Sequence, residues 1–198
     1  MSGARFGLNA PARLAQEIRK SRFVANVANV ASEAAALEFL RDVADHAATH
    51  NCWAWRIGQR YRFNDDGEPA GTAGKPILQA IDSQQIDNAM VVVTRWFGGI
   101  KLGAGGLMRA YGGCAAECLR QAEKSELIKT VRVEFALEFS ELQRLRARLR
   151  PLDASIESEE FAGEGASMRL ILPSARLTEL RVLLADLTRG RVELRLLD

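Results

Sequence analysis

Residues 89–113, AMVVVTRWFGGIKLGAGGLMRAYGG, join an apolar strand to a helix through a turn built of glycine. Met90, Val91, Val92 and Val93 form a nearly unbroken apolar run, the pattern of a strand buried on both faces. The spacing predicts that strand over residues 89–97 and a helix over residues 104–123. Between them, Gly98, Gly99, Gly103, Gly105 and Gly106 allow positive φ and let a ligand approach the backbone without meeting a Cβ. A helix N-terminus favours negative charge, and Arg95, Lys101 and Arg109 add full positive charges nearby, so the junction reads as a receiving surface for an anion. It is not a standard nucleotide loop. No Lys-Ser or Lys-Thr pair follows a glycine, and Met108 stands where GxGxxG needs its third glycine after Gly103 and Gly105. A tight turn with no ligand is the competing reading.

On the N-terminal side lies residues 64–76, NDDGEPAGTAGKP, where Gly67, Pro69, Gly71 and Gly74 prevent regular structure up to Lys75. Ile77, Leu78 and Ile81 then predict a short helix. Asp65, Asp66 and Glu68 are candidates for a hard cation, although the calcium-loop spacing is missing; a polar surface turn is the alternative. Further upstream, His50-Asn51-Cys52-Trp53-Ala54-Trp55 is expected to close a helix and open a strand. Alternation puts Trp53 and Trp55 on one face and Cys52 and Ala54 on the other. His46 is placed four residues before His50 in the preceding helix, which makes a two-histidine metal face conceivable without a third ligand at a diagnostic spacing.

In this order, SRFVANV, HNCWAW, FNDDGEPAGTAGKPIL and VVVTRWFGGIKLGAGGLMRAY resemble the IMPACT family over about residues 20–121, and the remainder resembles the small C-terminal domain of its bacterial members. Trp55 and Trp96 stand where tyrosine is the more usual residue. The resemblance implies a first domain similar to the second domain of ribosomal protein S5. It also implies a link to translational control. Eukaryotic members regulate a stress-kinase pathway acting on initiation through a ribosome-associated partner, and a nucleic-acid or ribosome role is attached to the bacterial ones.

The pattern around these motifs completes the first domain as ββαββαβα, with strands near residues 14–18, 23–30, 52–57 and 60–63 and a helix over residues 33–48 capped by Ser32. A linker is expected at residues 124–130. Beyond it the chain reads as βαββαβ without help from the resemblance: Val131, Val133, Phe135, Leu137 and Phe139 share one strand face, and Leu142, Leu145 and Leu149 mark a helix over residues 141–152. Strands over residues 154–161 and 167–172 flank Gly163-Glu164-Gly165. Ser174 is expected to cap a helix bearing Leu177, Leu180, Leu183, Leu184 and Leu187, Gly190 to end it, and Val192, Leu194 and Leu196 to alternate in a last strand. The expected fold class is α+β, an S5 domain 2-like domain at residues 1–128 followed by a ferredoxin-like domain at residues 131–198.

The net charge is only +2, with 16 Lys and Arg against 13 Asp and Glu up to residue 130 and 11 against 12 beyond, so any basic footprint is local and belongs to the first domain. Arg144, Arg146, Arg148 and Arg150 scatter around their helix and read as a solvated face. Cys52, Cys114 and Cys118 read as small buried residues of a reducing compartment. The longest apolar runs are too short to cross a bilayer, residues 1–9 lack a signal-peptide core, and a cytoplasmic location follows.

These readings converge on a translation-related binding or regulatory protein that takes RNA or a ribosomal surface in a glycine-rich basic groove. Lys75, Arg95, Lys101 and Arg109 would meet phosphate, Trp53, Trp55 or Trp96 would stack on bases, and Gly98, Gly99, Gly103, Gly105 and Gly106 would supply amides. No cofactor and no membrane partner is implied. The alternatives are a metal-dependent enzyme acting on a phosphorylated small molecule, with His50, Asp66 and Glu68 as catalytic candidates and Asp65, Asp66 and Glu68 as metal candidates, or a protein-docking module.

Overall fold

The computed structural model describes residues 5–197, and the chain divides into two compact units, Met1–Leu127 and Ile128–Asp198. Both mix helices with antiparallel sheet, so the fold is α+β.

The first unit runs β1 (Phe6–Leu8), β2 (Ala12–Ile18), β3 (Ser21–Asn29), α1 (Glu33–Val43), β4 (His50–Ile57), β5 (Arg60–Asn64), α2 (Gly74–Ser83), β6 (Ala89–Trp96), α3 (Ala104–Gln121) and β7 (Lys124–Glu126). Five strands form an antiparallel sheet in the order β2-β3-β6-β4-β5. Strand β6, apolar from Ala89 to Val93, takes the central place, where both of its faces are covered. Phe23, Ala25 and Val27 of β3, Cys52 and Ala54 of β4, and Val91 and Val93 of β6 form one buried face with Ile77 and Ile81 of α2 and Leu107, Tyr111, Cys114 and Cys118 of α3. On the opposite face Trp55, Met90 and Val92 meet Ala36, Phe39 and Leu40 of α1. Helices α2 and α3 approach so closely that a Cβ on Gly112 would lie 3.3 Å from the Pro76 Cβ.

The strand alternation at Cys52–Trp55 stands as the sequence predicts, but two readings of this unit need correction. Helix α1 starts at its Ser32 cap, whose side chain accepts from the Ala35 amide, yet it stops at Val43 rather than at residue 48. The next residues turn instead. The Asp45 carboxylate accepts from the Ala47 amide, and the Asn51 side chain both donates to the Asp45 carbonyl and accepts from its amide. His46 therefore lies in a loop and His50 begins β4, so the two histidines share no helix face. The expected linker over residues 124–130 also starts with a strand: β7 pairs with β1 and gives the unit a second, two-stranded sheet.

The second unit runs β8 (Thr130–Glu138), α4 (Phe139–Leu149), β9 (Ser155–Ala162), β10 (Gly165–Pro173), α5 (Leu177–Thr188) and β11 (Arg195–Leu197), in an antiparallel sheet of order β11-β8-β10-β9. Val133, Phe135 and Leu137 of β8 pack with Met168, Leu170 and Leu172 of β10 against Leu142, Leu145 and Leu149 of α4 and Leu180 and Leu184 of α5. Phe139 opens α4 instead of closing the strand, because the Glu141 carboxylate accepts from the Glu138 amide and caps the helix there. Ser174 begins a 3₁₀ turn and makes no side-chain cap, and only the last part of the Val192–Leu196 alternation is strand. No helix among the described residues is long and apolar enough to cross a membrane.

Candidate functional site

Four pieces of the first unit meet around a pocket of about 410 Å³: Thr49 and His50 entering β4, Glu68 and Pro69 of the glycine-rich loop, Arg95 and Phe97 at the end of β6, and Lys101 to Ala104 with Leu107 at the start of α3. Local geometry explains the convergence. A Cβ on Gly98 would lie 1.8 Å from the Lys20 carbonyl oxygen, so only glycine lets the chain leave β6 across the β2–β3 turn. The Gly98 amide then donates to Ser21 Oγ, and the Phe97 amide to Thr49 Oγ1. Gly103, at φ +70°, turns the chain into α3.

The loop is folded around one carboxylate. Asp65 Oδ2 accepts from the Gly71 amide and Oδ1 from those of Ala73 and Gly74, at 2.8–3.0 Å. Asp66 Oδ2 accepts from the Asn51 amide. Glu68 instead points inward, and its Oε1 accepts from Arg95 Nη1 at 2.6 Å and from the Tyr111 hydroxyl at 2.7 Å. The three carboxylates thus have separate protein donors. Among the described residues no group of three His, Cys, Asp or Glu side chains is placed to hold a metal.

The Glu68 and Arg95 side chains are 4% and 6% exposed, which makes their ion pair a buried one. Arg95 also lies 5.4 Å from the Phe97 ring centroid, while its Nε has no partner. His50 Nδ1 is 2.6 Å from the Asp66 carbonyl oxygen, which only accepts, so Nδ1 carries the proton. Nε2 lies 3.7 Å from Glu68 Oε1. Burial pushes the Tyr111 hydroxyl far above its ordinary range, with Cys52 and Glu68 adding to it, and the Cys52 thiol up to about 12, with Glu68, Asp66 and Asp65 adding to it. Tyr111 is therefore a permanent donor and Cys52 a neutral thiol, whose Sγ lies 3.0 Å from the Asp65 carbonyl.

Helix α3 opens on this pocket without a side-chain cap and with no acidic residue in its first turn. Leu107 is the residue whose amide first closes an intrahelical bond, onto Gly103, so the amides of Ala104, Gly105 and Gly106 have no helical acceptor. Lys75, Lys101 and Arg109 are exposed and, among the described residues, form no salt bridge.

Of the residues singled out from sequence, His50, Glu68, Arg95, Lys101 and Gly103 line the pocket. Gly98 and Gly99 shape its approach, Gly105, Gly106 and Arg109 follow along α3, and Lys75 sits on the first turn of α2 outside the lining. Arg95 is held on Glu68 beneath the surface, where the carboxylate offsets its charge. The tryptophans do not join. Trp96 follows Arg95 in β6 and points to the other face, where Arg22 covers its ring at 4.8 Å. Trp55 is buried and Trp53 packs beside it in the cluster under α1, which removes Trp55 as a stacking platform. Phe97, Leu102, Leu107, Pro69 and Tyr111 were missed as site residues. Tyr111 carried a signal, a phenol on the otherwise apolar stripe Leu107–Tyr111–Cys114–Cys118.

The Impact N-terminal domain matches residues 19–119, and a domain of unknown function (DUF1949) matches residues 135–191. A relative described as an IMPACT family member in the pol 5′ region of Thermus thermophilus is 48% identical over 176 residues, covering 88% of this chain and 97% of its own. IMPACT family member YigZ of Escherichia coli is 39% identical over 194 residues, covering 93% and 94%. A crystal structure described as a hypothetical protein is similar over 100% of this chain and 99% of its own, at 35% identity and a TM-score of 0.68. This two-domain chain belongs to the IMPACT family.

Proposed function

We propose that the protein is a translation-related binding protein of the cytoplasm whose first unit takes an anionic partner, RNA or a ribosomal surface, at the mouth of the pocket. The observation that carries this is the uncapped N-terminus of α3 opening between Lys101 and the buried Arg95. Free amides and cationic side chains of that kind hold phosphate. The fold reading that accompanies it is S5 domain 2-like for residues 1–128 and ferredoxin-like for residues 131–198. The β11-β8-β10-β9 order with both helices in one core supports the second assignment.

The metal-dependent alternative is less well supported, since a cation at Asp65 would displace three loop amides. Recovery of the full chain from lysate with and without ribonuclease tests the proposal. Nucleic acid that copurifies and is lost on digestion supports it. A protein partner retained after digestion and at high salt would favour the docking reading.

A further inference from the structure

We propose that the pocket itself holds a single nucleoside monophosphate unit, with the phosphate on α3 and Lys101 and the ring against Phe97. This rests on the anion-binding reading above and gives that site its ligand class. The cavity of about 410 Å³ falls within the size range of small-ligand pockets, roughly 300–1,000 Å³, and is lined like one, with apolar walls and few convergent polar groups. Three features each require a ligand with a different part. The first is the row of amides at Ala104, Gly105 and Gly106, with Lys101 beside it, which matches the terminal oxygens of a phosphate. A Cβ on Gly105 would meet nothing nearer than the tip of Arg109, 3.5 Å away, so this turn is open to close approach.

The second is Arg95, a pocket residue only 5% exposed whose Nε has no partner and whose Nη2 reaches Ser21 Oγ at only 3.5 Å. Glu68 offsets its charge, but a buried guanidinium with donors left unsatisfied in this lining still offers hydrogen bonds to an anion. The third is the apolar wall. Phe97 is 46% exposed although it belongs to the pocket lining, and Pro69 and Leu102 face the same space. An exposed aromatic ring beside a phosphate receptor suits a flat base. His50, its ring oriented by the Asp66 carbonyl, adds a polar ring edge to the same lining.

Free nucleotides and the phosphorylated end of an RNA share this chemistry. Calorimetric titration of the full chain with the four ribonucleoside 5′-monophosphates, the matching nucleosides and inorganic phosphate tests it. At least one monophosphate is expected to bind, with its nucleoside and inorganic phosphate each at least about tenfold weaker. Ala104→Glu adds an acid to the first turn of α3, which suits the helix dipole but repels a bound anion. It should lower monophosphate affinity by about tenfold while leaving the melting temperature equal or higher. Equal binding of nucleoside and monophosphate, no binding of any monophosphate, or unchanged affinity in folded Ala104→Glu overturns the inference.

Oligoribonucleotides with a 5′-phosphate or a 5′-hydroxyl separate the sources. Tighter binding of the phosphorylated oligomer than of the free monophosphate marks an RNA end, and equal binding marks the free nucleotide; either supports the pocket assignment. A polymer bound regardless of its end, with no monophosphate binding, refutes the pocket ligand and leaves the RNA reading standing. Monophosphate binding without polymer binding does the reverse.

Discussion

Replacing Glu68 by leucine should destabilise the first unit by about 3–5 kcal/mol, the cost of leaving one partner of a buried ion pair uncompensated. The structure puts this substitution in that class because the Glu68 and Arg95 side chains are 4% and 6% exposed and no other carboxylate pairs with Arg95 among the described residues. Tyr111 would lose its acceptor as well, which adds about 1–3 kcal/mol for an unpaired buried hydroxyl if the cavity stays dry. Against a typical domain stability of about 5–15 kcal/mol, the single variant is close to unfolding. The double variant Glu68→Leu/Arg95→Met removes both charges and should recover a large part of the deficit. Urea denaturation of wild type, both single variants and the double variant closes the cycle. A destabilisation below about 1 kcal/mol for Glu68→Leu, or a double variant equal to the sum of the singles, would refute the reasoning, because it would mean that water reaches the pair.

Gly98→Ala should cost at the upper end of about 1–3 kcal/mol, since the new Cβ would sit 1.8 Å from backbone at Lys20, and an unchanged urea midpoint would show that this turn is not packed as described. Alkaline stability follows from the thiols. Cys52 and Cys118 are raised to about 12 and Cys114 to about 11 by burial, whereas unfolded thiols ionise near their ordinary value, so above that value the unfolded state binds fewer protons. Stability contributed by these groups is complete below about pH 9 and falls as pH rises toward about 11–12, and a urea midpoint flat between pH 8 and 11 would contradict it. Expressed alone, residues 131–198 should unfold cooperatively by circular dichroism, because β8, β10, α4 and α5 share a core of their own; a fragment without a transition would contradict the separation.

Long, strongly patterned elements were legible in the chain. The Met90–Val93 run identified the doubly buried strand, and alternation at Cys52–Trp55 assigned each side chain to its face. The same alternation in β6 separates Arg95, on the Val91 and Val93 side, from Trp96, and it argues against grouping them in one site. What escaped was set by contacts between elements rather than within them. Helix α1 ends early because Asn51 holds the Asp45 turn from β4. The three-residue strands β1 and β7 carry too short a pattern to announce a pairing across the length of the unit. Motif density singled out the two glycine-rich segments that meet at the pocket, but not the division of labour among their charges. Asp65 organises its own loop, Glu68 neutralises Arg95, and Lys101 alone of the cations lining the pocket stays exposed.

Titrating a labelled oligoribonucleotide at several salt concentrations decides whether an anionic partner is taken at the start of α3. Wild type, Lys101→Ala/Arg109→Ala and Arg144→Ala/Arg148→Ala are compared as folded proteins. Removing one phosphate-binding cation should reduce the magnitude of the slope of log K against log salt by about 0.7 for a single strand. Weaker binding and a slope flattened by roughly 1.4 are therefore expected for the Lys101/Arg109 pair, with little change for the Arg144/Arg148 pair. Equal weakening from both pairs, or none from either, would contradict an anion site at the start of α3.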